Sequence, residues 1–467
     1  MEWWKWEEIK LYIVIIGAGK VGQLLTHYLS NEGHDVVVID KNNIKIGDIV
    51  NQHDVLGICG NGANYDILLE ASVSKADTVI AVTTLDELNI LAGMISKRMG
   101  AKYTIARVRN PDYSRQKEFL RDQLGFSMII NPELEAADEI RRSILFPSAM
   151  KIDTFAKGKI ELVEMRVNKQ TKLNQISLSQ LSTVTKTNVL ICAVKRDEDV
   201  VIPNGNFVVN ENDHIYVTGS HKDLMRFGLD IGLVHKNIKD VIIVGGSTIA
   251  FYLAKQLAVQ GIKTKIIEKN RDRCIELSKK LPYSIIIESD GSDENILLEE
   301  GIKRSDAFVG LTGLDEENIV LTIIAKQLGV NKSIAKVNRI SLNHITDMMG
   351  IDSVVDPKSI VASQIVGYLR AKDAPDETTS VQTLYKIVND QVEALEFIVN
   401  EKTKYLKQPL MDIHIKNHIL IAGILRGDTM IVPKGQDCFE VGDRIIIVTT
   451  HGRLYQLNDI FEDSFYE

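Results

Sequence analysis

Cysteine is scarce: four residues in 467, Cys59, Cys192, Cys274 and Cys438, far apart and without a C-x-x-C pair. That spacing argues against a disulfide framework or a cysteine zinc site and fits buried thiols in a reducing compartment. Long apolar runs are missing too. No uncharged stretch reaches the roughly 18 residues that a bilayer-spanning helix needs. A basic excess is also lacking, since 63 Asp and Glu outnumber 55 Lys and Arg for a net charge of −8, with no concentrated basic stripe. A nucleic-acid partner would have to bind against that field, and none is expected. Tryptophan is confined to Trp3, Trp4 and Trp6, followed by Glu7 and Glu8 where a secretory leader would be apolar. The cluster reads either as a short extension packed beside the first strand or as an aromatic anchor on a partner or membrane surface. What is present is ordinary: 25% charged and 45% hydrophobic residues describe a soluble globular chain. At roughly 100–200 residues each, about three domains are expected, with the cytoplasm as their address.

An internal duplication organises the chain. IVIIGAGKVG ending at Gly22 is answered by VIIVGGSTIA ending at Ala250, and ADTVIAVTTLDELNIL from Ala76 by SDAFVGLTGLDEENIV from Ser305. Asn131-Pro132 is echoed by Asp356-Pro357, and LICAVKR before Asp197 by LIAGILR before Gly427. Two long units and two short ones therefore alternate.

The first long unit reads as strands and helices in turn. Strands are expected at 11–16, 35–39, 55–59, 78–82, 103–108 and 128–130. Helices are expected at 20–31, 64–71, 86–99 and 113–124, and a connector helix over 133–146 ends at Pro147. Continuous Val/Ile strands separated by helices predict a parallel sheet covered on both faces. The short unit offers strands at 159–167, 189–195 and 214–218 with little helix between them, a small α+β domain. The fold class is α/β: two Rossmann-like, doubly wound parallel-sheet domains, each followed by a small α+β domain. Lys372–Ser380 reads as a linker or exposed loop, and the acids around Glu462, Asp463 and Glu467 as a solvated tail.

Gly17-Ala18-Gly19-Lys20-Val21-Gly22 is G-x-G-x-x-G placed directly after an apolar strand and opening a helix. Gly17 allows the tight turn, Gly19 leaves room for a pyrophosphate, and Gly22 lets helix and strand approach. Amides at the helix start supply donors and partial positive charge to a phosphate, and Lys20 adds a cation near it. Asp40 closes the second strand at the usual distance of about 20 residues and is expected to accept from ribose hydroxyls, favouring NAD(H) or an adenine nucleotide over NADP(H). The loop is not a Walker A sequence. In the second half Gly245 remains, Ser247 and Ala250 replace the later glycines, and Glu268 stands where Asp40 does; the Ser247 side chain crowds a pyrophosphate. Asn61, within Gly60-Asn61-Gly62, and Thr83-Thr84 follow strands at the end where open α/β sheets bind ligands, and Arg107 ends the next strand. Each reads equally as a turn, a helix cap or a surface ion pair. His27, His414 and His418 read as surface or packing groups. The short units carry no His-Asp or Lys constellation for catalysis, so binding without turnover is the expectation and no catalytic or metal residue is assigned. A nicotinamide-dependent oxidoreductase and a non-binding scaffold remain the alternatives.

The order of modules, with IVIIGAGKVG, DVVVID, GNGAN, ADTVIAVTTLDELNIL and VIPNGNFVVNENDHIYV, resembles the TrkA family of Trk potassium-uptake regulatory proteins along essentially the whole chain. The resemblance implies RCK N-terminal domains over 11–132 and 239–357 and TrkA-C domains over 150–232 and 381–463. It implies a cytoplasmic subunit, peripheral at the inner face of the cell membrane, that forms a homotetrameric ring beneath a potassium transporter of the TrkH/TrkG type. Binding of NAD(H) and/or ATP/ADP would set the ring's shape and so gate the transporter. Family nucleotide contacts fall on Gly17, Ala18, Gly19, Lys20, Val21, Asp40, Asn61, Thr83, Thr84 and Arg107. In the second half they fall on Gly245, Gly246, Ser247, Thr248, Ile249, Glu268, Asp290, Thr312 and Lys336.

Overall fold

A computed structural model describes residues 10–197, 199–233, 237–339, 349–373, 380–388, 391–450 and 453–462. Trp3, Trp4 and Trp6, most of the 372–380 segment and the last acidic residues lie outside them. The described chain forms two compact units: one runs to Ala136 and includes Pro357–Val366, and the other comprises Ala137–Asp356 and Gly367 onward.

In the first unit, β1 (Tyr12–Ile16), β2 (Asp35–Asp40), β3 (Leu56–Cys59), β4 (Thr78–Ala81), β5 (Tyr103–Arg107) and β6 (Met128–Ile130) form a parallel sheet in the order β3-β2-β1-β4-β5-β6. This is the Rossmann order, and its direction reverses between β1 and β4, where ligands collect in such sheets. Ile13–Ile16 and Val36–Ile39 are almost wholly buried because helices cover both faces. The expected 113–124 helix is two pieces, Pro111–Ser114 and Lys117–Leu124. An additional helix, Asn43–Gln52, follows β2; Asn42 caps it by accepting from the Ile44 and Lys45 amides, and it buries Ile46 and Ile49.

The second unit repeats that sheet and adds two five-stranded antiparallel ones. First come β7 (Lys151–Phe155), β8 (Ile160–Arg166), β9 (Ile176–Ser177), β10 (Val189–Arg196), β11 (Asp199–Val201), β12 (Val208–Val209) and β13 (His214–Gly219), with the main sheet ordered β11-β10-β13-β8-β7 and a two-stranded pair of β9 and β12 beside it. More helix is present here than the sequence pattern suggests: His221–Asp230 is capped by Ser220 and buries Leu224 and Phe227 against the sheet. Next, β14 (Asp240–Val244), β15 (Lys263–Glu268), β16 (Ser284–Glu288), β17 (Ala307–Gly310), β18 (Lys332–Lys336) and β19 (Ser353–Val355) restore the parallel Rossmann order. Finally β20 (Thr383–Ile387), β21 (Val392–Ile398), β22 (Ile419–Arg426), β23 (Thr429–Ile431) and β24 (Arg444–Thr449) form the second antiparallel sheet. The two antiparallel sheets share one core, in which Ile160, Leu162 and Tyr216 of the first meet Ala394, Ile446 and Val448 of the second. Thr218 Oγ1 donates to the Ala422 carbonyl across it at 2.6 Å. All four cysteines are free; Cys192 and Cys274 are buried as expected, whereas Cys59 is exposed at the end of β3.

Burial drives one titration. Glu139, on the Pro132–Leu145 helix, is 6% exposed, and desolvation pushes its carboxyl up to about 7 against the pull of Lys151 and Arg142, with Asp153 and Asp356 adding repulsion. Between an unfolded value near 4.5 and about 7 the native state holds a proton that the unfolded chain has released, so this group's contribution to stability falls as pH rises through that window. Glu139→Gln is expected to match wild type at pH 4 and to exceed it at pH 8 by on the order of 1–3 kcal/mol in urea unfolding. Parallel stability profiles for the two proteins would contradict this.

Candidate functional site

At the carboxyl end of β1 the chain turns sharply through Gly17, whose φ of +112° and lack of a Cβ are both required: a Cβ there would stand 2.9 Å from the Thr83 amide. The Gly17 amide donates to the Ile39 carbonyl at 2.7 Å, pinning the loop to β2. A Cβ on Gly22 would fall 1.9 Å from the Gly17 carbonyl oxygen, so the helix Lys20–Asn31 approaches the loop as closely as it does only with glycine at 22. Gly19 differs from both. Nothing lies within 4 Å of the direction its Cβ would take, it is the N-cap of that helix, and no side chain caps the helix amides. The first turn also has no acidic residue. The helix N-terminus is thus left with donors and positive potential facing an open position, the arrangement that takes a phosphate.

Asp40 ties the same loop from the side. Its Oδ2 accepts from the Ala18 amide at 2.7 Å and its Oδ1 from the Asn42 amide at 2.9 Å, so the carboxylate shapes the glycine turn and retains lone pairs for a ligand hydroxyl. Asn61 closes a turn by accepting from the Ala63 amide at 3.1 Å, and Gly62 packs so tightly on β1 that a Cβ would lie 2.1 Å from Ile16 Cγ2. The Thr83 amide and hydroxyl both donate to Asn89 Oδ1, at 2.8 and 2.7 Å. The Thr84 carbonyl accepts from Arg109. Arg107 is turned to Glu133 at 2.9 Å in a largely buried ion pair, while its Nε has no hydrogen-bond partner. The structure therefore gathers the Gly17–Gly22 loop, Asp40 and Thr83 at one point, with Asn61 on the neighbouring loop. Arg107 is engaged elsewhere through its Nη2.

Two residues that sequence reasoning passed over hold this end of the sheet together. Asn89, fully buried, accepts from Thr83 and donates its Nδ2 to the Arg107 carbonyl at 2.9 Å and to the Thr83 carbonyl at 3.2 Å, joining the ends of β4 and β5. Asp86 Oδ2 accepts from the Arg109 and Asn110 amides at 2.8 and 2.7 Å. Their signal was the Leu-Asp-Glu-x-Asn shared by both halves: Asn318 accepts from the Thr312 amide at 2.7 Å and donates to the Lys336 carbonyl at 3.0 Å, and Asp315 accepts from the Asn338 and Arg339 amides. Asn89→Ala leaves buried amides and carbonyls unsatisfied, and a loss of about 1–3 kcal/mol in denaturant unfolding is expected. An unchanged midpoint would show that water replaces the side chain.

The second half builds a related crevice. Gly245, at φ +98°, again turns the chain where a Cβ would meet the Leu311 carbonyl group at 2.7 Å. Glu268 takes the place of Asp40, accepting from the Gly246 amide at 2.6 Å and the Asn270 amide at 2.7 Å. Ser247 caps its own helix, its hydroxyl accepting from the Ala250 amide at 3.3 Å, and Thr248 and Ile249 open that helix. Lys336 Nζ donates to the Thr312 carbonyl at 2.6 Å. Asp290 accepts from the Ser292 amide and hydroxyl, which hold its carboxyl below the usual range. Gly245, Gly246, Ser247, Glu268, Asp290 and Thr312 line a cavity of about 370 Å³, within the span of small-ligand pockets, whereas Thr248, Ile249 and Lys336 are not part of its lining. Among the described residues no group of three or more His, Cys, Asp or Glu side chains is placed to hold a metal ion, and no helix is long and apolar enough to cross a membrane. His414 and His418 are exposed and lie outside helices; His27 is exposed, 5.4 Å from His53 between ring centroids.

Comparison with known proteins gives the same module order. The TrkA-N domain model matches residues 13–132 and 241–357, and the TrkA-C domain model residues 162–232 and 394–462. "Trk system potassium uptake protein TrkA homolog 1" of Methanosarcina mazei is 32% identical over 457 residues, covering 96% of this chain and 99% of that one. "Trk system potassium uptake protein TrkA homolog" of Archaeoglobus fulgidus is likewise 32% identical over 453 residues, with coverage of 96% and 99%. A solved structure described as the GsuK channel bound to NAD superposes with a TM-score of 0.63 at 17% identity, covering 95% of this chain and 77% of that one, a likeness of fold.

Proposed function

We propose a function on one premise: this chain belongs to the family of Trk system potassium uptake proteins TrkA, with TrkA-N and TrkA-C domains in tandem. It is a regulatory protein, not an enzyme. In this reading the first crevice takes NAD(H) or ATP/ADP, with the Gly17–Val21 amides and Lys20 toward the phosphates and Asp40 toward the ribose hydroxyls. Asn61, Thr83, Thr84 and Arg107 complete the surround. The second crevice, with Gly245–Ile249, Glu268, Asp290, Thr312 and Lys336, is a second site for a nucleoside-containing ligand. The bound group supplies no chemistry; it changes which arrangement of the regulatory domains is favoured, through its differential affinity for two states. A homotetrameric ring at the inner face of the membrane, beneath a TrkH/TrkG-type potassium transporter, is the assembly we assign. Exposed Tyr65, Leu69, Leu91 and Met94, which form an apolar groove on the first unit, support contact between copies. Domain limits of 11–132, 150–232, 239–357 and 381–463 complete the proposal.

The observation that carries this reading is the open Gly19 position at an uncapped helix start, with Asp40 bonded to the same loop. Because Asp40 also shapes the turn, its test needs a readout that loop damage alone does not move. Asp40→Ala is expected to lower NADH affinity and, by removing the charge that repels a 2′-phosphate, to shrink the preference for NADH over NADPH by about tenfold or more. Calorimetric titration with both cofactors measures it; an unchanged ratio would remove Asp40 from the site. Co-purification with a membrane potassium transporter tests the partner.

A further inference from the structure

The internal repeat sets each position of the first crevice against its counterpart in the second. Lys20 corresponds to Thr248, Asn61 to Asp290 and Leu88 to Glu317, so each of these three exchanges makes the second crevice one charge more negative. Glu268, Asp290 and Glu317 all line its cavity, and Lys269 is the basic residue among that lining. The phosphate position differs as well. Gly19 opens onto empty space at an uncapped helix start, whereas the Ser247 hydroxyl already occupies the Ala250 amide. A pyrophosphate placed there would meet a filled cap and three carboxylates. Val244, Ile267 and Leu311 nevertheless give the cavity apolar walls. Carboxylates beside apolar walls suit a ligand that donates hydroxyl hydrogen bonds and presents a flat apolar face.

We propose that the second crevice binds an uncharged nucleoside, and that phosphate-bearing dinucleotide is confined to the first crevice. This rests on the reading of the first crevice as a nucleotide site. The two halves of the chain then respond to different ligands, one selected by its phosphates and the other by their absence.

Calorimetric titration of the full chain with NADH and with adenosine decides the matter. Wild type is expected to take one NADH per chain, with any second event at least about tenfold weaker. Gly19→Asp, alone and combined with Asp40→Ala to remove the ribose contact of the first crevice as well, is expected to lose NADH binding and to bind adenosine within twofold of wild type. The triple change Ser247→Gly, Asp290→Asn and Glu317→Leu, which restores the first-crevice residues, is expected to admit a second NADH that adenosine displaces. Should the triple variant not fold, Glu317→Leu alone, at a lining surface position, is expected to strengthen the weak second event. Two equal NADH sites in wild type, or no adenosine binding by Gly19→Asp, would overturn the proposal. If wild type takes no NADH at all, the reading of the first crevice fails, and adenosine binding by the Gly19→Asp, Asp40→Ala double variant still decides the second.

Discussion

Gly19→Asp is expected to abolish dinucleotide binding while leaving the protein at least as stable as wild type. Gly19 has φ −79° and ψ −175°, an extended conformation open to any L-residue, and an added Cβ meets nothing within 4 Å. Aspartate is moreover a preferred N-cap, better than glycine by a few tenths of a kcal/mol at an equivalent position. The same carboxylate would sit where a pyrophosphate needs the helix amides, satisfying them first and repelling the ligand. A loss of at least about a hundredfold in NADH affinity, close to 3 kcal/mol, is the expected size. Titration and thermal unfolding read the two halves of the statement separately. Retained affinity would mean that the ligand, if any, does not use this helix start.

The second large effect lies away from the crevice. Arg370 is almost fully buried and grips Glu393 on β21 through two bonds, at 2.6 and 2.9 Å. Arg370→Ala would strand a largely but not fully buried carboxylate, and breaking such a pair costs up to about 3–5 kcal/mol. Replacing both partners, as Arg370→Met with Glu393→Leu, removes the stranded charge and is expected to recover most of that loss. Equal destabilisation by the single and double variants in chemical denaturation would show that packing around Arg370, not the charge on Glu393, is what matters.

Where the chain is apolar on both faces, as in Val36–Ile39 and Ile13–Ile16, burial imposes one pattern and the strands of the Rossmann sheets are legible in the sequence. The helix Asn43–Gln52 was not, because Ile44 and Val50 are exposed beside buried Ile46 and Ile49 and blur its periodicity; the Asn42 cap was the usable sign. His221–Asp230 was missed for a related reason: it is short, and only Ser220 marks its start. In the crevice the glycines and Asp40 were readable, since each has a backbone reason to be there. The tie from Asp40 to the Ala18 amide and the clamp formed by Asn89 were not, because both depend on loops that meet only after folding. Nor does a sequence reveal which faces of two antiparallel sheets will share a core, as those carrying Ile160 and Ile446 do.

The claim beneath all of this is that the amino-terminal crevice captures a dinucleotide and returns it unaltered. Equilibrium dialysis of the full-length chain against NADH, with the bound ligand then released by denaturation and its nicotinamide absorbance compared with the input, tests it in one operation. Saturable retention of NADH that emerges still reduced is the expected result; no retention at saturating ligand, or recovery in the oxidised form, would contradict it.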